Sequence, residues 1–172
     1  MLVDEGDHFI SQREVAALTA VIPTLHSGTL RAEAANHSPL TIDVDPDAPS
    51  RHVTVWGYTQ IEAADQGDAA AKWFSAVIGT SCRLVAFGTK AHNYIDPEYS
   101  PRQDAETAFT DGYPLMAALQ QSLDDLNSRL AAPVPMQRFR PSVVIDGAKA
   151  WSEDDWMAMK LGSIDCDAVQ TC

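Results

Sequence analysis

The chain reads as α+β, mainly β, with a barrel-like or sandwich-like first half. Short segments in which apolar and polar residues alternate recur there, each bounded by turn residues, which is the pattern of half-buried strands. The period then changes to 3.6 residues, where Ala70, Trp73, Phe74, Val77 and Ile78 fall on one helical stripe. With 172 residues, 45% of them hydrophobic, the chain can bury the core of one domain or of two small lobes.

The elements follow in order. "MLVDEGDHFI" predicts two short strands around a turn at Glu5-Gly6-Asp7. "ALTAVIPTL", "TLRAEA" and "LTIDVD" predict three more, and in the last Leu40, Ile42 and Val44 alternate with polar residues, so one face is buried. "HVTVWGYTQIE" predicts one strand, with Val53 and Val55 on one face and Thr54, Trp56 and Tyr58 on the other. The helix beginning at Asp68 ends at Gly79, the C′ residue. "CRLVAF" returns to strand, and residues 88–107, polar and holding Pro97 and Pro101, predict a long loop. Ser122 with Asp125 suggests a capped helix whose Leu123, Leu126 and Leu130 share a face, and "LMAAL" before it fits a short strand or an earlier helical turn. "SVVID" predicts a buried strand ending at Gly147, "SEDDW" a helical turn with Ser152 as N-cap, and "MKLGSIDCDAV" a final strand or hairpin.

Twelve basic against twenty-four acidic residues leave a net charge of -12. That balance opposes binding to nucleic acid, which rests on phosphate neutralisation, and to anionic membrane surfaces. Three cysteines without a CxxC pair indicate a reducing compartment, read as bacterial cytoplasm. The five histidines show no metal-site spacing. No apolar run approaches the ~18 residues of a membrane-spanning helix.

Within this acidic chain, "QRFRPSVVIDG" places Arg138 and Arg140 two residues apart. On an extended backbone both point to one side, and Phe139 points to the other, into the core. Pro141, lacking an N–H, fits a strand entrance or edge. Guanidiniums match phosphate and carboxylate oxygens, but surface pairing with the chain's many acids is the competing reading. The same bland reading applies to Arg13 and Arg102. Cys82 and Cys166 read as small core thiols, Cys172 as a terminal thiol, and Trp56, Trp73, Trp151 and Trp156 as packing residues.

"FTDGYPL", "SLDDLNSRL", "QRFRPSVVIDG", "WSEDDW" and "LGSIDCDAVQTC" together resemble the MOSC family of molybdenum-cofactor proteins, in the branch that holds the amidoxime-reducing components. "MLVDEGDHFISQRE" and "VWGYTQIEAADQGDAAAKWFSAVIGTSCRLV" resemble that family's N-terminal β-barrel lobe. The resemblance implies a MOSC N-terminal lobe over 1–88, a linker over 89–107 and the first part of a MOSC β-barrel over 108–172. It carries Arg140 to the molybdopterin pocket, with Arg138, Ser142 and Ser122 as further cofactor-binding candidates, Ser122 being also the helix cap. Where the family has Asn after the proline, Ser142 keeps a hydrogen-bonding group without the amide's paired donor and acceptor.

In the family the metal ligand is the second Cys of a Cys-x-Arg-Cys segment, whose first Cys matches Cys172. The chain is thus expected to be truncated at both ends and to hold no metal-ligating residue itself. The resemblance implies that the longer protein is a molybdenum-dependent oxidoreductase. It would reduce small N-hydroxylated or N-oxide substrates with electrons from an iron–sulfur or haem domain or protein. Family-level pyridoxal phosphate binding comes with it. The alternative is a non-catalytic binding module, or an inactive fragment without the cofactor.

Overall fold

The computed structural model describes every residue except 101, 103 and 172, and not the side chains of 58, 59 and 99. The expected loop residue Pro101, the terminal thiol of Cys172 and the facing of Tyr58 therefore lie outside what is described. The chain forms two compact units, Met1–Asn93 and Tyr94–Cys172.

The first unit contains β1 (Leu2–Val3), β2 (Ile22–His26), β3 (Thr29–Glu33), β4 (Leu40–Asp43), β5 (Ser50–Val55), β6 (Tyr58–Asp65), α1 (Gly67–Ile78) and β7 (Arg83–Phe87). The strands make two open antiparallel sheets, in the orders β1-β7-β6-β5 and β2-β3-β4. No closed barrel forms among the described residues. The stripe on α1 packs Ala70, Phe74 and Ile78 into a core with Leu2, Ile10, Ala32, Cys82 and Leu84. Each such large side chain removed from water contributes about 1.5–3 kcal/mol. Gly79 takes φ 73 and closes the helix by donating its N–H to the Ser75 carbonyl at 2.9 Å, as expected.

Three first-unit expectations are corrected. The second strand of the opening hairpin shrinks to isolated bridges, Val3 with Phe9 and His8 with Thr54. Asp4 is the cause: its carboxylate accepts the N–H groups of Gly6 and His8, both at 2.9 Å, and holds the segment as a turn. The first part of "ALTAVIPTL" is a 3₁₀ turn, Ala16–Ala20. Just before it Ser11 and Glu14 form a reciprocal capping box, Ser11 N–H to Glu14 Oε2 at 2.9 Å and Glu14 N–H to Ser11 Oγ at 3.3 Å. Finally, "HVTVWGYTQIE" is a hairpin. Trp56, at φ 56, and Gly57 turn the chain so that Val55 pairs with Tyr58, while Val53 and Val55 are buried as expected.

The second unit contains β8 (Ala117–Leu119), α2 (Gln120–Arg129), β9 (Val143–Ile145), β10 (Ala158–Leu161) and β11 (Ile164–Asp167). Strands β8 and β9 pair in parallel, with α2 in the crossover between them, and β10 and β11 form the expected terminal hairpin. "LMAAL" resolves into the strand β8. Ser122 does not cap α2, whose N-cap is Leu119; its hydroxyl accepts the Trp151 N–H at 2.8 Å instead. Ser152 is likewise the first residue of its 3₁₀ turn, and Trp151, in the left-handed region at φ 66, precedes it as cap. Strand β9 is only half-buried, with Val144 exposed. The side chain of Leu130 is also exposed, and α2 ends one residue before it.

Candidate functional site

The stretch around Arg140 is built by a turn rather than a strand. Pro135 leads into a 3₁₀ turn over Met136–Arg138. The Arg138 N–H donates to the Pro135 carbonyl at 3.0 Å, Phe139 N–H to Met136 at 3.0 Å and Arg140 N–H to Gln137 at 3.2 Å. Arg140 then takes φ 54. This left-handed conformation costs a non-glycine residue about 1–2 kcal/mol, and it falls on a residue already restricted by the proline that follows. It reverses the chain so that Ser142 and Val143 run into β9.

This geometry corrects the expectation of two arginines sharing one side of an extended strand. Arg138 ends the turn, Phe139 is in the right-handed helical region and 41% exposed, and Arg140 is left-handed. Phe139 is therefore not a core residue. Neither arginine forms an ion pair among the described residues, in a chain with twice as many acids as bases. Arg102, by contrast, pairs with Asp104 at 3.5 Å.

An open depression of about 460 Å³ lies here, lined by Met136, Gln137, Arg140, Pro141 and Val144. Of the four residues singled out in the sequence, Arg140 alone lines it. Ser142 is tied to the neighbouring strand: its N–H donates to the Met116 carbonyl at 2.8 Å, and its hydroxyl accepts the Met116 N–H at 3.2 Å. Ser122 is buried on the first turn of α2 beneath Trp151, whose indole N–H donates to Asp125 at 2.7 Å. Met136, Gln137, Pro141 and Val144 line the depression without having been marked by composition or periodicity. Their one signal was adjacency to the arginines.

Elsewhere the charged groups serve structure. Asp65 receives Arg83 through both carboxylate oxygens, Arg51 Nε at 3.1 Å and the Gly67 N–H at 2.9 Å, and Arg51 reaches on to Asp7 at 2.6 Å. Burial pushes the Asp65 carboxyl up, but the Arg83 hydrogen bonds, the Gly67 N–H, the Arg83 charge and the Arg51 hydrogen bond together outweigh it and hold it below its ordinary value. The same pairing raises Arg83. Burial pushes the Cys82 thiol up, against a hydrogen bond from Ser75, so Cys82 is an inert core thiol. Cys166, expected in a core, is half-exposed on β11. Among the described residues no group of three or more His, Cys, Asp or Glu side chains is placed to hold a metal ion, and no helix is long and apolar enough to cross a membrane.

Residues 1–81 match the family model of the MOSC N-terminal beta barrel domain, and residues 104–172 match that of the MOSC domain. The whole chain aligns with mitochondrial amidoxime reducing component 2 of Rattus norvegicus at 33% identity, covering 53% of that protein. It aligns with mitochondrial amidoxime-reducing component 1 of Mus musculus at 29% identity over 52%, and with component 2 of Homo sapiens at 28% over 52%. The chain thus spans about half the length of these relatives. The solution structure of a Bordetella bronchiseptica gene-locus product overlaps 49% of this chain and 68% of its own, at 24% identity and a TM-score of 0.44.

Proposed function

Because the chain belongs to the MOSC family, joining a MOSC N-terminal beta barrel domain to a MOSC domain, we propose that Arg140 anchors the phosphate of a pterin-type molybdenum cofactor. The protein of which this site is part would reduce small N-hydroxylated or N-oxide compounds, taking electrons from an iron–sulfur or haem partner. One observation carries the reading: Arg140, whose guanidinium has no ion pair among the described residues, lines an open depression from a strained, left-handed backbone position. Strain of this kind persists where the surroundings fix it, and it clusters at binding sites.

The residues present suit the anionic end of such a cofactor. A guanidinium is a planar, permanently charged donor that fits phosphate, and Met136, Pro141 and Val144 add apolar lining that a heterocyclic ring could contact. The bound cofactor would supply two-electron oxygen-atom chemistry; this chain's own part is to bind and orient it. Arg138 adds positive charge beside the depression. Ser142 fixes the strand that Arg140 leads into, and Ser122 secures Trp151 against α2. In this reading residues 1–88 form the N-terminal lobe, 89–107 the linker and 108–172 the cofactor-binding part. The unpaired thiols of Cys82 and Cys166 suit a reducing compartment.

The test is cofactor content. Protein produced in a host that makes the cofactor is assayed for bound pterin by fluorescence and for molybdenum by elemental analysis, as wild type and as Arg140→Ala and Arg140→Gly. Charge-assisted hydrogen bonds of about 1.5–3 kcal/mol imply a loss of about tenfold or more in both variants. Arg140→Gly removes the left-handed penalty, so its fold stays intact and the loss reports binding alone. Full pterin content in both variants would refute the role of Arg140. Pterin retained without metal or activity toward an aryl amidoxime would reduce the reading to a binding module.

A further inference from the structure

The depression beside Arg140 holds a second unengaged polar side chain. Met136, Pro141 and Val144 present hydrocarbon, so its polar side-chain atoms belong to Arg140 and Gln137. The Gln137 carboxamide makes no hydrogen bond among the described residues. Three other carboxamides of the same unit are engaged, Gln120 with Asp124 at 2.8 Å, Gln121 with Asp146 and Gly147, and Asn127 with both the N–H and the carbonyl of Val134, whereas Gln170, near the end of the chain and outside the depression, is unengaged among the described residues as Gln137 is. The backbone of Gln137 is fixed, because its carbonyl accepts the Arg140 N–H at 3.2 Å. One turn therefore sets the spacing of the two residues along the backbone.

A guanidinium only donates, whereas a carboxamide donates and accepts side by side. Phosphate alone would use Arg140. A planar heterocycle with an adjacent donor and acceptor on its edge would use Gln137 as well, with the ring lying on Met136, Pro141 and Val144. Ser142 does not supply that pair, since its hydroxyl is engaged with Met116. We infer that Gln137 is a ligand-recognising residue of this depression, reading the donor–acceptor edge of a heterocycle whose anionic group Arg140 holds. The inference rests on the anion-site reading above and adds the discrimination between a bare anion and a heterocyclic one.

Two probes separate the roles in calorimetric titrations of the ligand-free chain: inorganic phosphate, and a pterin carrying a phosphomonoester side chain. Arg140→Ala weakens both by about tenfold or more. Gln137→Ala weakens the pterin phosphate about fivefold to tenfold and leaves inorganic phosphate unchanged. Gln137→Glu, which places a carboxylate beside the anion, weakens both. Gln137 is exposed, so these variants keep the fold, which circular dichroism verifies. An unchanged pterin phosphate affinity in Gln137→Ala, or an equal loss for both probes, overturns the inference while leaving Arg140 in place. Failure of Arg140→Ala to weaken either probe, or failure of wild type to bind them, overturns the anion site and this inference with it.

Discussion

Asp65 shows how one residue organises a unit. It closes β6, receives the Gly67 N–H at the start of α1, and joins Arg51 on β5 to Arg83 on β7. Its side chain is 11% exposed, and each arginine about 30%, so these contacts are shielded from water and salt more than ordinary surface pairs are. The folded carboxyl releases its proton more readily than the unfolded one, whose ordinary value is 3.8. Its contribution is thus complete above that value and disappears as pH falls through the lower folded value. Asp65→Asn should destabilise the first unit by about 1–2 kcal/mol at pH 7, because it removes the carboxylate that two partly buried guanidiniums share and leaves Arg51 with Asp7 alone and Arg83 with the exposed Asp68 alone. The difference should shrink toward zero in strong acid. Urea unfolding of wild type and variant across pH, followed through amide resonances of the first unit, checks both statements. An equal cost at neutral pH and in strong acid would refute the linkage.

Among the elements, the β8–α2–β9 crossover decides whether Arg140 is presented at all. The strands are three residues long and pair in parallel. Ser142 extends that pairing backward by taking Met116 N–H on its hydroxyl and giving its own N–H to the Met116 carbonyl. Ser142→Ala removes the first of these and should lower the stability of the second unit by about 1 kcal/mol, read by thermal denaturation. Phosphate binding should fall much less than in Arg140→Ala, and an equal fall would place Ser142 on the ligand. Elements of this kind were unevenly legible in the sequence. Helix α1 and strands β3, β4 and β7 could be read directly, because periodicity records which side chains are buried. The β5–β6 hairpin escaped because its turn starts on Trp56, a bulky residue that rarely takes positive φ. The expected caps at Ser122 and Ser152 failed for a related reason. Composition names a hydroxyl able to cap, but a contact 29 residues away claimed the one at Ser122. At the site, the identity of Arg140 was legible and its direction was not, since alternation along a strand does not apply to a 3₁₀ turn followed by a left-handed residue.

Over the whole chain, burial is divided unequally between the units. The first holds Val3, Val53, Val55 and Val85 at 1% exposure or less, together with the α1 core. The second buries Leu119 and Leu123 around its crossover but leaves Leu115, Phe139, Val144, Trp151, Met157 and Ile164 exposed. Opening free energy follows buried apolar contact, so hydrogen exchange should separate the units. Amides of β5, β6, β7 and α1 should exchange only through opening of the whole first unit. Those of β10 and β11 should exchange faster by orders of magnitude, through local opening. The proposed anion site around Arg140 lies in the less protected unit, and that makes exchange a sensitive test of it. A ligand that binds the folded form alone, at a hundred times its dissociation constant, stabilises that form by about 2.7 kcal/mol. A pterin phosphate at that concentration should slow exchange by about a hundredfold over residues 116–119 and 136–145, and leave the first-unit amides unchanged. Uniform protection across both units would contradict the division of burial. Slowing confined to the first unit would move the ligand away from Arg140.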